Sequence, residues 1–186
     1  MKIKLSSIAK VYSGYSVRSK NEQEGLPNAN MVLPSNVFQQ NFKELSKVSV
    51  KLARNTNLLR DQDVLLSNRV HFKAALFKDT PKENALAAAS LWVIRLKENA
   101  PILPEFLTFW LNSEHGQKAL QQRINAFDTL KTIKKEAVED LMLPTPPLEK
   151  QKKISELYFC FMKQKELLNK KMELNLQLLN ALTEQI

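Results

Sequence analysis

The most regular pattern of apolar and polar positions lies in the C-terminal part of the chain. From residue 154 onward, apolar side chains recur at alternating intervals of four and three residues, and Lys165 and Asn175 are the polar interruptions. Neither glycine nor proline occurs after residue 147. This spacing is the heptad pattern of a helix that pairs with another helix. Besides Lys165, the predicted seam consists of Ile154, Tyr158, Phe161, Leu168, Met172, Asn175, Leu179, Leu182 and Ile186.

A helix over residues 148–186 has to bury this seam, because most helices in proteins owe their stability to the packing of an apolar face. The seam can pack on the rest of the same chain or on another chain. It continues to Ile186 with no second helix after it, so we expect another chain, most simply a second copy. Asn175 would then fix the register of the pair, or would lie in water at the seam's edge. A weaker stripe beside the seam contains Leu157, Cys160, Leu167, Leu174 and Leu178.

Earlier in the chain the pattern changes to short apolar runs separated by turn residues, which is typical of β-strands. Ahead of these runs, residues 3–12 have an apolar spacing that predicts a short helix with Ser6 or Ser7 as its cap. The predicted strands are residues 30–34, 47–52, 63–67, 74–78 and 89–96.

Helical patterns return between the strands and the seam. Residues 104–124 predict a helix, in which Gly116 predicts a break or a second helix from residue 114 because glycine weakens a helix interior. Residues 133–143 form one more short segment.

These elements predict an α+β fold with two parts. Residues 1–143 form a globular mixed domain, and residues 144–186 form a proline joint followed by a long coiled-coil helix. Pro144, Pro146 and Pro147 make the joint stiff, and Pro147 suits a first helical turn, where its missing N–H is not needed.

The charge of the chain indicates its partner. The net charge is +9 with an isoelectric point near 9.6, and residues 1–143 hold 21 Lys and Arg against 14 Asp and Glu. Such an excess attracts a polyanion or an acidic membrane surface, and an ordinary basic protein with a solvated surface has the same balance. No apolar run is long enough for a membrane span, and the start of the chain does not read as a signal peptide. With Cys160 as the single cysteine, no intrachain disulfide is possible, so we expect a reducing, cytoplasmic setting and no membrane contact.

Catalytic motifs are missing from the sequence. His71, His115 and Cys160 have no metal-ligand spacing, and three scattered glycines cannot form a phosphate-binding loop. The Pro-Pro pair between Thr145 and Leu148 is similar to a motif of adenine methyltransferases, but leucine has no flat ring to stack on a flipped base. We therefore expect no catalysis, no cofactor and no metal.

Three polar loops hold side chains suited to phosphates and base edges of double-stranded DNA. They cover residues 15–21, 67–73 and 125–135, and the second follows an apolar strand directly. Any one of these side chains can also be an ordinary solvated surface residue. The candidate DNA-binding residues are Tyr15, Arg18, Lys20, Asn68, Arg69, His71, Lys73, Asn125, Thr129, Lys131 and Lys134.

Four stretches in order give the chain a family resemblance. They are "LSSIAKVYSGYS" (5–16), "LLRDQDVLLSNR" (58–69), "ILPEFLTFWLNSEHGQKAL" (102–120) and "TIKKEAVEDLMLPTPPLEKQKKI" (132–154). The chain resembles the DNA-specificity subunit of type I restriction-modification systems. It departs from that pattern at Gln62-Asp63, where the family usually has Gly-Asp, and it has one copy of each part where full subunits have two.

This resemblance implies a half-subunit without catalytic activity, in which residues 1–143 are a target-recognition domain. Two chains would pair their helices as a homodimer, or one chain would pair with another specificity subunit. DNA methyltransferase (M) subunits, and a restriction (R) subunit where one exists, would then be positioned on a bipartite DNA target.

Two other readings stay open at this point. One is a coiled-coil adaptor that binds an acidic protein partner without reading DNA. The other is a stand-alone nuclease, which the lack of metal-binding carboxylates disfavours.

Overall fold

A computed structural model describes residues 1–16, 28–50, 57–69, 71–78, 84–124 and 131–183 of the chain. The strands are β1 (Lys2–Lys4), β2 (Ala9–Ser13), β3 (Asn28–Val32), β4 (Ser46–Ser49), β5 (Val64–Ser67), β6 (Ala74–Leu76), β7 (Ala85–Ala87), β8 (Leu91–Leu96) and β9 (Met142–Pro144). The helices are α1 (Leu5–Ile8), α2 (Pro34–Gln39), α3 (Pro104–Asn112), α4 (Glu114–Gln121), α5 (Lys135–Glu139) and α6 (Leu148–Thr183). This mixture of strands and helices with a long C-terminal helix confirms the predicted fold class.

Four strands form the main sheet, in the order β2-β8-β5-β6, and each neighbouring pair is antiparallel. On β5, Val64 and Leu66 pack in one core cluster with Phe106 and Leu107 of α3, whereas Leu65 packs in a second cluster. The alternation follows from the two-residue period of a strand. Because both faces of β5 are buried, its sequence reads as a continuous apolar run.

A smaller sheet, in the order β4-β3-β7, contributes to the second cluster. Strand β3 pairs antiparallel with β4 and parallel with β7. The structure has a strand in each of the five predicted regions, although residues 51 and 52 of one prediction lie outside the described residues. Strand β7 was not predicted, because an Ala-Leu-Ala run lacks the β-branched and aromatic residues that mark strands.

Strands β1 and β9 tie the start of the chain to the proline joint. They pair antiparallel with Ile3 opposite Leu143, and the backbone N–H of Thr145 donates to the carbonyl of Met1 at 3.2 Å. Neither strand was predicted, since three-residue strands give almost no periodic signal.

The predicted helix over residues 3–12 is mostly wrong. Only α1, one turn long, is helical, and β1 and β2 flank it. Neither serine caps it, since the N-cap is Lys4 without a side-chain bond, and the Ser7 hydroxyl donates to the Lys4 carbonyl at 2.6 Å. Ladder pairing of β2 with β8, in which Val11 lies opposite Ile94, outweighs the helical spacing.

Helices α3 and α4 confirm the predicted break, but Ser113 causes it rather than Gly116. Ser113 has an extended backbone and accepts a hydrogen bond from the Gly116 N–H at 3.2 Å, which caps α4. A methyl group on Gly116 would overlap the carbonyl oxygen of Trp110. Glycine is therefore needed here for the close approach of α4 to α3.

Helix α6 begins directly after Pro147 and is about 54 Å long at 1.5 Å per residue. Its first three turns pack on the domain, where Gln151 and Ser155 are buried and Ile154 and Phe159 contact the main core. Beyond these turns its side chains are largely exposed. In the part of the chain that the structure describes, no helix has the length and apolarity to cross a bilayer.

One charged pair is buried beside the main sheet. Asp63 is 1% exposed and accepts two hydrogen bonds from the Arg95 guanidinium, at 2.6 and 2.8 Å, and a third from the backbone N–H of Arg60 at 2.8 Å. The hydrogen bond to Asp63 raises the pKa of Arg95, so Arg95 stays protonated. It holds the turn that enters β5 against β8.

Candidate nucleic-acid interface

The described parts of the three candidate loops lie at one end of the main sheet. At this end β2 and β5 finish, at Ser13 and Ser67, and β6 and β8 begin. Antiparallel order places these four termini side by side. The end of the sheet is therefore where the loops before and after the strands can act together.

Tyr15 reaches this end through the turn that precedes β8. It forms an isolated parallel bridge with Ala88, and its backbone N–H donates to the carbonyl of Ala87 at 2.7 Å. The same turn binds Asn68, whose backbone N–H donates to Ser90 at 3.0 Å. The turn thus joins the first candidate loop to the second.

The second and third loops are joined directly. Arg69 forms an antiparallel bridge with Thr132, and the backbone N–H of Ile133 donates to the carbonyl of Asn68 at 2.9 Å. The Trp92 indole N–H donates to the Ile133 carbonyl at 3.0 Å and fixes the third loop to β8. Residues that are more than sixty positions apart are therefore held in one surface.

We call this surface the basic edge and define it by Arg69, His71, Lys73, Lys131 and Lys134. All five side chains are exposed, and none of the four cations forms an ion pair with another residue that the structure describes. Lys131 has a φ of 45°, a backbone conformation that costs a residue with a side chain about 1 kcal/mol or more and that clusters at functional sites. Four cations without an ion pair among the described residues thus lie on adjoining loops, an arrangement whose positive potential attracts anions.

Asn68 does not belong to this surface, and its prediction as a DNA-contacting side chain is wrong. The residue is 5% exposed, and its amide Nδ2 donates to the Ala89 carbonyl at 3.1 Å. Its Oδ1 is buried without a hydrogen-bond partner among the described residues. Asn68 instead holds the loop to the turn before β8.

Phe38 is a neighbour of the basic edge that the sequence did not indicate. It lies on α2, which was not predicted, and its ring meets His71 edge to face with centroids 6.3 Å apart. Phe38 is 42% exposed, so its ring is open to solvent beside the basic edge. The sequence carries no signal for this position, because its exposure follows from packing and not from its residue type.

Several predicted contacts lie outside the described residues. These are Arg18, Lys20, Asn125, Thr129 and Ile186. Among the residues that are described, no three His, Cys, Asp or Glu side chains come together as metal ligands would.

Gln151 fixes the start of α6 to the domain. Its side chain is fully buried, its Oε1 accepts from the Leu103 N–H at 2.9 Å, and its Nε2 donates to the carbonyls of Pro101 and Pro146 at 2.8 and 2.9 Å. One amide therefore satisfies three backbone groups from the segment before α3 and from the proline joint. This contact sets where α6 leaves the domain.

Tyr158 connects α6 to the basic edge through α3. Its hydroxyl oxygen accepts from Asn112 Nδ2 at 2.9 Å and from Gln40 Nε2 at 3.4 Å. Asn112 in turn bonds both backbone groups of Ala74, the residue after Lys73, at 2.7 and 3.0 Å. The loop of the basic edge and the helix thus share one hydrogen-bond network.

The structure also divides the predicted seam of α6. Ile154 and Tyr158 are half-buried against their own domain, so the first two seam positions make contacts within the chain and not with a partner helix. Phe161, Leu168 and Met172 are 61 to 64% exposed, and the later positions Asn175, Leu179 and Leu182 are exposed as well. An apolar face of this length on a folded protein marks an interaction site.

We expect Tyr158→Phe to lower the free energy of unfolding by about 1 kcal/mol at neutral pH, because one hydrogen-bonded hydroxyl is lost. Burial raises the pKa of Tyr158, and the hydrogen bonds from Gln40 and Asn112 oppose this shift. A raised pKa in the folded state means that this stabilisation is complete below the ordinary tyrosine value of about 10 and is lost as the pH rises through the folded pKa. Urea unfolding across the alkaline range measures both effects.

The wild-type chain should therefore lose stability faster than Tyr158→Phe above about pH 10. Equal alkaline losses in the two proteins would contradict this role of Tyr158. The urea dependence at neutral pH is the control, since it should be the same for both proteins.

Comparisons with known proteins identify a family and a fold. A family model described as the type I restriction modification DNA specificity domain matches residues 1–177. A search of curated proteins found no match.

Three solved structures share the fold. One comes from work on the complex assembly and conformational transition of the type I R-M system. It has a TM-score of 0.63 at 16% identity, and the match covers 94% of this chain and 41% of the chain in that structure. The HsdS subunit from Thermoanaerobacter tengcongensis has a TM-score of 0.60 at 17% identity, with 92% and 39% covered. The type I S subunit from M. genitalium has a TM-score of 0.58 at 16% identity, with 94% and 42% covered.

The chain thus spans about two fifths of the length of these structures. The family match, in contrast, takes in nearly all of its 186 residues. The chain belongs to the family of type I restriction-modification DNA specificity domains.

Proposed function

We propose that the chain is a sequence-recognition subunit that binds double-stranded DNA through the basic edge and has no catalytic activity of its own. The observation that carries this proposal is a set of four cations at one sheet end of a DNA specificity domain, none with an ion pair to another described residue. They are Arg69, Lys73, Lys131 and Lys134. Lys and Arg side chains neutralise phosphates and position a protein on the duplex, and an Arg can also read guanine.

The described parts of these loops are suited to this role because backbone hydrogen bonds hold them together. The bridge between Arg69 and Thr132 and the bond from Ile133 to Asn68 hold two loops in one arrangement. Pre-organised side chains lose less conformational entropy on binding than flexible ones. Phe38 and His71 add an apolar and a polar ring on the same surface.

The proposed assembly is a dimer, because a split DNA target needs two recognition domains. Two chains pair through α6, so that two domains read a split target with two-fold symmetry. Residues 1–143 act as the recognition domain, and residues 144–186 act as joint and spacer. Methyltransferase subunits, with a restriction subunit where one exists, bind this scaffold in the cytoplasm and carry out the chemistry.

The exposed apolar face of α6 also fits an adaptor that binds an acidic protein and does not read DNA. The dependence of duplex binding on salt concentration distinguishes DNA recognition from the adaptor function. Binding to a duplex falls steeply and linearly with the logarithm of salt concentration, in proportion to the number of phosphates contacted. A dimer that binds no duplex at low salt, alone or with a methyltransferase subunit, would favour the adaptor.

We expect Arg69→Ala to weaken binding to the target duplex by about 10- to 100-fold, the effect of losing one base or phosphate contact of about 1–3 kcal/mol. If Arg69 contacts a phosphate, the slope of log affinity against log salt should also fall by about one unit. A fluorescence anisotropy titration at several salt concentrations measures both quantities.

Arg60→Ala is the matched control. Arg60 is also exposed and lies before the opposite end of β5, so its loss removes the same charge from a different surface. Binding by Arg60→Ala should stay within about twofold of wild type. Equal losses for the two variants would show that Arg69 acts only through net charge, and unchanged binding by Arg69→Ala would remove the basic edge from the interface.

A further inference from the structure

Phe38 is the one large apolar side chain that is exposed among the described residues between positions 2 and 141. The other exposed large apolar side chains are Met1, Met142 on β9 and those on α6. Phe38 also lies beside the basic edge, since its ring meets the ring of His71 edge to face. The globular part of the chain thus leaves one large apolar side chain uncovered, and this side chain lies next to its cations.

Helix α2 holds Phe38 on a fixed backbone. The preceding residue, Val37, is 1% exposed and packs in the second core cluster. At the start of the helix, Asn36 Oδ1 accepts a hydrogen bond from the Leu33 N–H at 2.9 Å. At its end, Gln40 has a φ of 53°, and its backbone N–H donates to the Val37 carbonyl at 3.3 Å. Because the helix is tied at both ends and along its buried face, Phe38 faces solvent from a defined position.

The loop that carries His71 is closed on both sides. The backbone N–H of Ser67 donates to the Lys73 carbonyl at 2.9 Å. Phe72, the residue after His71, is 2% exposed, and its carbonyl accepts from Gln117 Nε2 at 2.6 Å. The contact between the rings of Phe38 and His71 therefore joins two anchored segments.

A DNA duplex offers few groups that suit an apolar ring. The base edges in both grooves present hydrogen-bond donors and acceptors, and the exception is the C5-methyl group of thymine in the major groove. Arg69 and Lys73 lie two residues to either side of His71 and attract the phosphates that border a groove. An apolar ring between such cations therefore matches a thymine methyl group.

We propose that the ring of Phe38 contacts the C5-methyl group of a thymine in the major groove and thereby selects thymine at one position of each half-site. His71 positions the ring, and Arg69 and Lys73 bind the phosphates beside it. This contact rests on the proposed function, the binding of double-stranded DNA through the basic edge, and adds one base that is read.

Two other uses of an exposed phenylalanine fit the surroundings less well. A ring that enters between two base pairs as a wedge has to project from the surface, whereas more than half of Phe38 is covered and its ring packs on His71. A protein partner could reach the ring through the cleft between α2 and α6, whose other wall includes Phe159 and Met162. The cations beside Phe38 favour a polyanion over such a partner.

Selection from a pool of random-sequence duplexes tests which base is read. The wild-type chain, Phe38→Ala and Met142→Ala each enrich duplexes, and sequencing gives the motif of each protein. Phe38→Ala should lose the preference for thymine at one position of the half-site and keep the preferences at the other positions. A wild-type motif, or equal weakening at every position, would overturn the proposal.

Met142→Ala is the matched control. Met142 is 45% exposed, so the variant removes an apolar side chain of similar exposure from the same domain. It pairs with Lys4 ahead of β2, whereas the basic edge lies where β2 ends. This variant should select the wild-type motif, and the same loss of thymine preference in both variants would also overturn the proposal.

Deoxyuridine in place of the selected thymine removes only the methyl group. In one half-site this change should weaken binding by the wild-type chain about fourfold, the effect of one buried methyl group. Phe38→Ala should bind the two duplexes equally, because the partner of the methyl group is already missing. Phe38→Leu keeps an apolar side chain and should keep part of the preference. Fluorescence anisotropy measures all six affinities.

This comparison distinguishes the methyl contact from a structural role of Phe38, since a general loss of structure would weaken binding to both duplexes and leave their ratio unchanged. An equal effect of deoxyuridine on the wild-type chain and Phe38→Ala would overturn the proposal. A wild-type chain that binds duplex at low salt but does not respond to the methyl group has the proposed function without this contact. A wild-type chain that enriches no duplex from the pool has neither.

Discussion

A chain in which Leu168 and Leu179 are both replaced by aspartate will be monomeric at micromolar concentration. Each leucine is about 60% exposed in the single chain and becomes buried when two helices pair. Full burial of an exposed leucine side chain contributes about 1.5–3 kcal/mol, so the exposed part contributes about 1–2 kcal/mol per leucine. Four leucines per dimer then contribute about 4–7 kcal/mol, which is a change of at least about 500-fold in the dissociation constant. Analytical ultracentrifugation of the two proteins measures this change.

The double variant Leu167→Asp with Leu174→Asp is the matched control. It removes two exposed leucines from the weaker stripe of the same helix and adds the same charge. We expect this control to stay dimeric under conditions in which the seam variant is monomeric. A seam variant that is still dimeric at micromolar concentration would contradict the assignment of the interface to the seam, and loss of the dimer in the control would extend the interface to the weaker stripe.

The Gln151→Leu variant is expected to lose about 3 kcal/mol of folding stability or more. Leucine is apolar and one atom shorter, so it leaves the N–H of Leu103 and the carbonyls of Pro101 and Pro146 without the partners that Gln151 supplies. Each buried group that loses its partner costs about 1–3 kcal/mol. Urea unfolding followed by circular dichroism gives the total loss.

Gln164→Leu, an exposed glutamine on the same helix, serves as the control and should change the free energy of unfolding by less than about 0.5 kcal/mol. Hydrogen exchange should show where the two proteins differ, with faster exchange confined to the proline joint and the first turns of α6 in Gln151→Leu. A loss as small as that of the control would mean that water replaces the side chain at all three backbone groups.

The sequence predicts those elements whose own pattern decides their structure. Helix α6 and strands β5 and β8 have long or continuous apolar signals that no tertiary contact reverses. Residues 3–12 were misassigned because Leu5, Ile8 and Val11 fit a helix as well as a short turn between two strands, and pairing with β8 decided between them. Strands β1, β7 and β9 are three residues each, and only their distant partners define them.

For the candidate site as well, the residue types could be predicted from the sequence but their arrangement could not. Residue types suited to DNA are visible in the loops, but their meeting at one sheet end depends on bonds such as that from Ile133 to Asn68, which join distant parts of the chain. The inward rotation of the Asn68 side chain has no sequence signal, since Asn serves a buried turn as well as a base edge. The packing of Ile154 and Tyr158 on their own domain has no sequence signal either, because both residues continue the heptad pattern.

The contact at Gln151 gives the helix the properties of a lever arm. From Ile154 to Lys170, near the middle of the exposed part of α6, the arm is about 24 Å long. A tilt of roughly 8° at its base would therefore displace the far end by about 3.4 Å, one base-pair step of a DNA strand. One buried amide group would then decide how sharply the assembly distinguishes a target with the correct number of intervening base pairs from a target with one more or one fewer.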